Sequence, residues 1–300
     1  MTAPASATAG TLHYIPPVSA FEPNASSSAP SNLLLWIGGL GDTLRSVQYP
    51  YALSAHLPPD WSLAQANLSS AALGWGTSSL SRDVAEIAQI VAYFRAQRTG
   101  KIVIMGHSTG CQDSLHYLCS NDEQGTRARV DGVVLQAPLS DREAIVQEMS
   151  KENYDRANSL AEEWINAGRG EDCLPLEVAA SIFGPVPVSA RRWLSLASPD
   201  KKGEDDYFSS DLPDERLRDT FGKITVPLLV LMGEKDQYIP PQVDSKAMVA
   251  RWIKILKESD TPVDSQSGEL LGGATHNLNG NPDEVVNELI RRVVAFLQSV

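Results

Sequence analysis

With 300 residues, 42% of them hydrophobic, the chain can bury one large core, and its length suits a single α/β domain with an insertion better than two independent domains. A formal net charge of −12 and a pI near 4.9 argue against nucleic acid and anionic membrane surfaces as partners, because either needs clustered basic residues. Three cysteines without a C-x-x-C pair, and no His-x-x-x-His spacing, point to neither a disulfide framework nor a metal site. A reducing compartment, the cytoplasm, is expected, with no cofactor.

Residues 1–31 read as a mobile N-terminal segment rich in Ala, Ser and Pro, in which residues 11–15 could add an edge strand. A basic n-region and an apolar h-region are both missing and the first arginine is Arg45, so neither a secretory signal nor an Arg-rich transit peptide is expected. The sequons at Asn24 and Asn67 are then coincidental. No stretch approaches the roughly 18 apolar residues that span a bilayer.

The core domain is expected over residues 32–300. It opens on an apolar run, 33–37, that leads into Gly38-Gly39-Leu40-Gly41-Asp42. That loop lacks the G-x-x-x-x-G-K-[ST] pattern of a phosphate cradle. Residues 61–66 read as a strand, and 81–97 as an amphipathic helix with Val84, Ile87, Val91 and Phe94 at helical spacing.

Residues 101–111 read Lys-Ile-Val-Ile-Met-Gly-His-Ser-Thr-Gly-Cys. A bare G-x-S-x-G arises by chance in roughly one in ten chains of this length, but here a β-branched run precedes it and helix-compatible sequence follows. This is the context of a nucleophile elbow. The glycines remove side chains that would collide with the turn, and a helix beginning at Thr109 turns its positive end toward a developing oxyanion.

A further strand at 132–136 continues a strand and helix alternation that implies a mainly parallel, doubly wound sheet. Between about 139 and 222 the alternation stops. Helical sequence at 141–167 and 174–192, with Trp164, Ile182, Phe183, Trp193 and Leu194 as apolar anchors, reads as a helical cap insertion over the site; an ornamental insertion is the alternative. Gly39, Trp193, Tyr207 and Phe208 are the expected substrate contacts.

The apolar run 228–232 is released by Gly233 into a loop carrying Asp236, the candidate acid, with Glu234 as its rival. His276 follows in a glycine-rich loop before a C-terminal helix, where Asn281 is the expected N-cap, Pro282 a first-turn residue and Glu284 the capping glutamate. Ser108, Asp236 and His276 thus fall in the chain order of an α/β-hydrolase triad. In that reading His276 takes the serine proton and Asp236 steadies the imidazolium. The N–H groups of Leu40 and Thr109 form the expected oxyanion pair, a plain turn being the alternative for the Gly38 loop. The other histidines, His13, His56, His107 and His116, precede or adjoin the serine, with His107 expected to pack at the elbow.

The segments Gly38-Gly39-Leu40-Gly41-Asp42, 106–113 with its Cys-Gln-Asp ending, 206–212 and 232–236 resemble the fungal DUF1749 proteins over roughly residues 30–300. The resemblance implies an α/β-hydrolase fold and a relation to esterases of fusarinine-type hydroxamate siderophores. It carries the triad to Ser108, Asp236 and His276. Where the family leads one to expect a glycine after Asp42, this chain has Thr43, which either narrows the acyl pocket or is tolerated. Three functions stay open: an esterase on a bulky secondary metabolite such as a siderophore ester; a hydrolase, lactonase, acyltransferase or thioesterase on another acyl group; and a non-catalytic ligand receptor. A small-molecule ester is the expected partner.

Overall fold

Apolar runs with β-branched content form strands, and here five of them lie side by side in parallel. The computed structural model describes residues 7–23, 30–122, 125 and 127–300. Its sheet comprises β1 (Gly10–Ile15), β2 (Val18–Pro23), β3 (Asn32–Ile37), β4 (Trp61–Asn67), β5 (Ile102–His107), β6 (Gly132–Gln136) and β7 (Leu228–Leu231), in the order β1-β2-β4-β3-β5-β6-β7. β3 to β7 pair in parallel, and the β1–β2 hairpin adds antiparallel strands at one edge.

The expected mainly parallel sheet with helices on both faces is what forms. Alternate side chains of each central strand enter opposite layers, as the pleat requires. Leu33, Leu35, Ile104 and Val230 pack into one core with α2 (Leu80–Arg95), α3 (Thr109–Cys119), α8 (Asp214–Phe221) and α9 (Ser245–Glu258). Leu34, Trp36, Val103, Met105 and Leu231 pack into the other with α1 (Tyr49–Ser54) and α10 (Asp283–Ser299). The chain therefore leaves β3 toward one face and its neighbour β5 toward the other, which opens a crevice at their carboxyl ends.

The possible edge strand over 11–15 forms as β1, but the rest of the described N-terminal segment departs from expectation. Ile15, Val18 and Ala20 are buried in the main core, and both carboxylate oxygens of Glu22 accept from the one nitrogen Arg98 Nη2, at 2.9 Å each. His13 Nε2 lies 3.0 Å from the same carboxylate, and its Nδ1 3.1 Å from Tyr93 Oη. The core thus begins before Asn32, because a buried ion pair and three apolar side chains tie the hairpin down. Mobility at 1–6 and 24–29, and the Asn24 sequon, lie outside the described residues.

The insertion folds as α4 (Asp141–Glu148), α5 (Lys151–Asn166), α6 (Leu176–Phe183) and α7 (Ala190–Ala197). Ser140, Ser150 and Ser189 each cap a helix, accepting from the N–H three residues on. The helix expected over 141–167 is accordingly two, broken where Ser150 starts α5. These helices share a separate apolar cluster that also takes in Trp75. The expected end of the cap at 222 is corrected: Tyr207, Phe208, Leu212, Leu217 and Phe221 are buried in the main core, so the chain has already left the cap. Their apolar surface is satisfied by Trp252 of α9, 5.4 Å from the Phe208 ring.

Asn281 does not cap α10 either. The N-cap position is Pro282, and Asn281 Oδ1 instead accepts from Thr275 N–H at 2.9 Å. It thereby holds the loop that carries His276.

Candidate active site

Ser108 stands between β5 and α3 with φ 54° and ψ −125°, a strained conformation for a residue with a side chain. Its N–H donates to the Gln136 carbonyl at 3.1 Å, and its own carbonyl accepts from Cys111 N–H at 2.8 Å. The flanking glycines are steric requirements. A Cβ on Gly106 would sit 2.1 Å from the Gly110 carbonyl oxygen, and one on Gly110 would sit 2.3 Å from that of Ile37. The elbow expected from sequence is therefore built as such.

The loops after β7 and before α10 run alongside each other. Gly233 and Leu271 form a parallel bridge, Glu234 N–H donates to Leu271 O at 3.0 Å and Lys235 N–H to Ala274 O at 2.9 Å. A Cβ on Gly233 would meet Ala274 O at 2.6 Å, so only glycine lets the two loops approach. This brings His276 Nδ1 to 2.7 Å from Asp236 Oδ2, while Asp236 Oδ1 accepts from Tyr238 N–H at 3.1 Å. The rival Glu234 is engaged elsewhere, accepting from Gly273 N–H at 2.8 Å. With Nδ1 committed to Asp236, Nε2 is the nitrogen left to act on a substrate or nucleophile.

Ser108 and His276 line one cavity of about 410 Å³, which is of small-molecule size. Gly39, Leu40 and Asp42 form one wall, α4 contributes Asp141, Ala144, Ile145 and Glu148, and α6 contributes Ser181, Ile182 and Phe183. Gly39 lies against Ser108: a Cβ there would fall 2.6 Å from Ser108 Cβ. Asp42 shapes this loop by accepting from Gly39 N–H at 2.8 Å and from Ser46 Oγ at 2.8 Å. Among the described residues, the N–H groups of Leu40 and Thr109 enter no hydrogen bond within the protein. Thr109 opens α3, so its N–H has no partner within the helix.

Charge in the cavity is subdued by burial. Burial, and then the nearby charge of His276, hold His107 down to about 3, so it is neutral. Its ring stacks on Trp36 and lies 4.9 Å from the His276 ring. Burial likewise raises the Asp42 carboxyl, and burial followed by the charge of Asp205 lifts Asp141 to about 7. No group of three or more His, Cys, Asp or Glu able to hold a metal ion occurs among the described residues.

Three expected substrate contacts are corrected. Trp193 is wholly buried inside the cap, its Nε1 donating to Asn158 Oδ1 at 3.1 Å. Tyr207 Oη lies 2.8 Å from His116 Nδ1, and Phe208 packs on Phe221 and Trp252. None of the three lines the cavity, because each finds its partners in a dry interior first. Thr43 also lies away from it, on a separate small cleft beside Trp36 and Asn67, so it does not narrow the acyl pocket. Sequence reasoning missed the α4 face and Tyr238, whose ring meets His276 edge-on at 4.8 Å. The one signal for α4 was the short apolar run Ala144-Ile145-Val146 among polar residues.

A mainly parallel sheet with a strained serine at the central crevice, an acid and histidine in the following order, and a helical cap define an α/β-hydrolase. Comparison with known proteins places it further. The model of the DUF1749 family, described as a protein of unknown function, matches residues 1–298, and the chain belongs to that family. Esterase AN6793 of Emericella nidulans is 36% identical over 99% of this chain and 94% of its own length. Fusarinine C esterase sidJ of Aspergillus fumigatus is 34% identical over 96% and 95%. The solved structure of siderophore hydrolase EstB from Aspergillus fumigatus superposes with a TM-score of 0.85 at 34% identity, covering 99% of this chain and 98% of that one. A more distant α/β-hydrolase fold protein, TM-score 0.62 at 19% identity, shares the fold. The chain is a carboxylic ester hydrolase. No helix among its described residues is long and apolar enough to cross a membrane.

Proposed function

We propose that the chain cleaves the ester bonds of a fusarinine-type hydroxamate siderophore through an acyl-enzyme on Ser108. The observation that carries the mechanism is the 2.7 Å His276–Asp236 contact facing the same cavity as the strained Ser108. His276 Nε2 accepts the Ser108 proton as Oγ attacks the ester carbonyl, and Asp236 stabilises the imidazolium. The N–H groups of Leu40 and Thr109 take the tetrahedral oxyanion. The imidazolium returns its proton to the leaving alcohol. Water, deprotonated by the same nitrogen, then releases the acid and frees the serine.

The substrate class is supported by the relatives named for fusarinine C and siderophore hydrolysis. The cavity agrees, with an apolar cap wall of Ile145, Ile182 and Phe183 for the organic part of an acyl group. A cytoplasmic setting is supported by three free cysteines, one of them, Cys173, exposed.

The test is a fluorophosphonate probe followed by peptide mass spectrometry, together with turnover of iron-loaded and iron-free fusarinine-type esters. The tag should fall on Ser108, and Ser108→Ala should lose on the order of 10⁴-fold in kcat with an unchanged Tm. Undiminished hydrolysis by that variant refutes the mechanism. Turnover of simple aryl esters with none of siderophore esters refutes the substrate.

A further inference from the structure

Gln136 is wholly buried at the carboxyl end of β6, beside the elbow in the sheet, and the triad does not include it. Its main-chain oxygen accepts from Ser108 N–H at 3.1 Å. Its side-chain Nε2 donates to the main-chain oxygen of His276 at 3.0 Å, and its Oε1 lies 2.5 Å from His107 Nδ1. A carbonyl oxygen only accepts, so the bond to His276 fixes which end of the amide is nitrogen. Oε1 must then accept, and His107 must carry its proton on Nδ1.

One residue therefore touches the nucleophile's backbone, the residue before it, and the backbone of the base. His276 and Ser108 sit on loops from distant parts of the chain. Catalysis by such a pair depends on their relative placement to a fraction of an ångström. We propose that Gln136 is a positioning residue that couples the two, holding Ser108 through its carbonyl while its amide bridges His107 to the His276 main chain. This rests on the triad reading above. It also gives His107 a role: as a neutral hydrogen-bond donor it supports the bridge without placing a second positive charge beside the imidazolium.

The experiment uses the full-length protein with active sites titrated by fluorophosphonate, measuring kcat, KM and pH profile well below Tm. Gln136→Leu, which keeps the main-chain bond and deletes the bridge, should lower kcat per titrated site by about 10- to 100-fold with KM nearly unchanged. Gln136→Glu can still accept from His107 but places a carboxylate against the His276 carbonyl. Its acidic limb in kcat/KM should move to higher pH, as negative charge stabilises the imidazolium. A merely structural glutamine would lower Tm and the titrated fraction while leaving kcat per site and the pH limb as in wild type. That result in whichever variant folds overturns the proposal. In the unaltered protein, nitrogen NMR should find His107 in its Nδ1–H tautomer. An Nε2–H tautomer overturns the proposal without any variant, because the amide would then point oxygen at oxygen. Wild-type protein whose Ser108 takes no probe overturns the triad reading and this proposal together, whereas labelled wild type with unaffected variants overturns this proposal alone.

Discussion

At the scale of single residues, the decisive contact is the one that singles out Asp236 over Glu234. Both lie on the same loop, but only Asp236 has its carboxylate on His276, while Glu234 serves Gly273. Asp236→Asn removes the charge that stabilises the imidazolium and lets the ring take the wrong tautomer. The expected loss is about 10³- to 10⁴-fold in kcat. Glu234→Gln keeps an acceptor for Gly273 N–H, so kcat should stay near wild type. Steady-state kinetics of the two variants checks this, and the reverse ranking would sink the assignment. The serine itself was legible in the sequence, since a turn that tolerates no Cβ at positions 106 and 110 writes its glycines into the chain. The choice of acid was narrowed to two residues, because separating neighbours on a loop takes the direction of each side chain.

At the scale of elements, the N-terminal hairpin carries the clearest energetic commitment. Arg98 and Glu22 are both buried, with His13 on the same carboxylate and the Pro30 carbonyl accepting from Arg98 Nη1 at 2.6 Å. Arg98→Met leaves Glu22 buried without its main partner and should destabilise the protein by about 3 kcal/mol. Chemical denaturation checks this; a loss below 1 kcal/mol, on the order of a surface pair, would mean that the hairpin is held by packing alone. Composition misled at β2, because the Ala, Ser and Pro of residues 1–10 and 22–31 suggested that all of 1–31 is a loose segment. The burial of Glu22 depends on Arg98, more than seventy residues away in sequence. The capping serines of the insertion, by contrast, act within four residues, and their signal lay in the chain.

Across the whole molecule, burial of carboxylates beneath the cap sets a pH dependence. Asp83 is pushed up to about 6 chiefly by burial, against Ser78 Oγ at 2.8 Å, and Asp141 up to about 7. Both lie above the ordinary value of 3.8. Between about pH 4 and pH 7 the folded state therefore holds protons that the unfolded chain has released, and the stability these groups contribute falls as pH rises. Asp83→Asn, which keeps an acceptor for Ser78, removes one of these titrations. Its Tm should match wild type near pH 4.5 and exceed it at pH 8 by roughly 2–4 °C. Scanning calorimetry at the two values checks this, and a difference that does not grow with pH refutes it.

The amino-acid sequence alone determined the strand and helix alternation, the elbow, the chain order of the candidate serine, acid and histidine, and the helical insertion after β6. Each of these is written in local periodicity or in steric demands that only glycine meets. Tertiary structure decided which carboxylate reaches His276, where the cap ends, which aromatic residues stay inside instead of facing the cavity, and that Gln136 joins the two halves of the site. Those outcomes depend on which segments, tens to more than a hundred residues apart, come within hydrogen-bonding distance, and no local pattern encodes that distance.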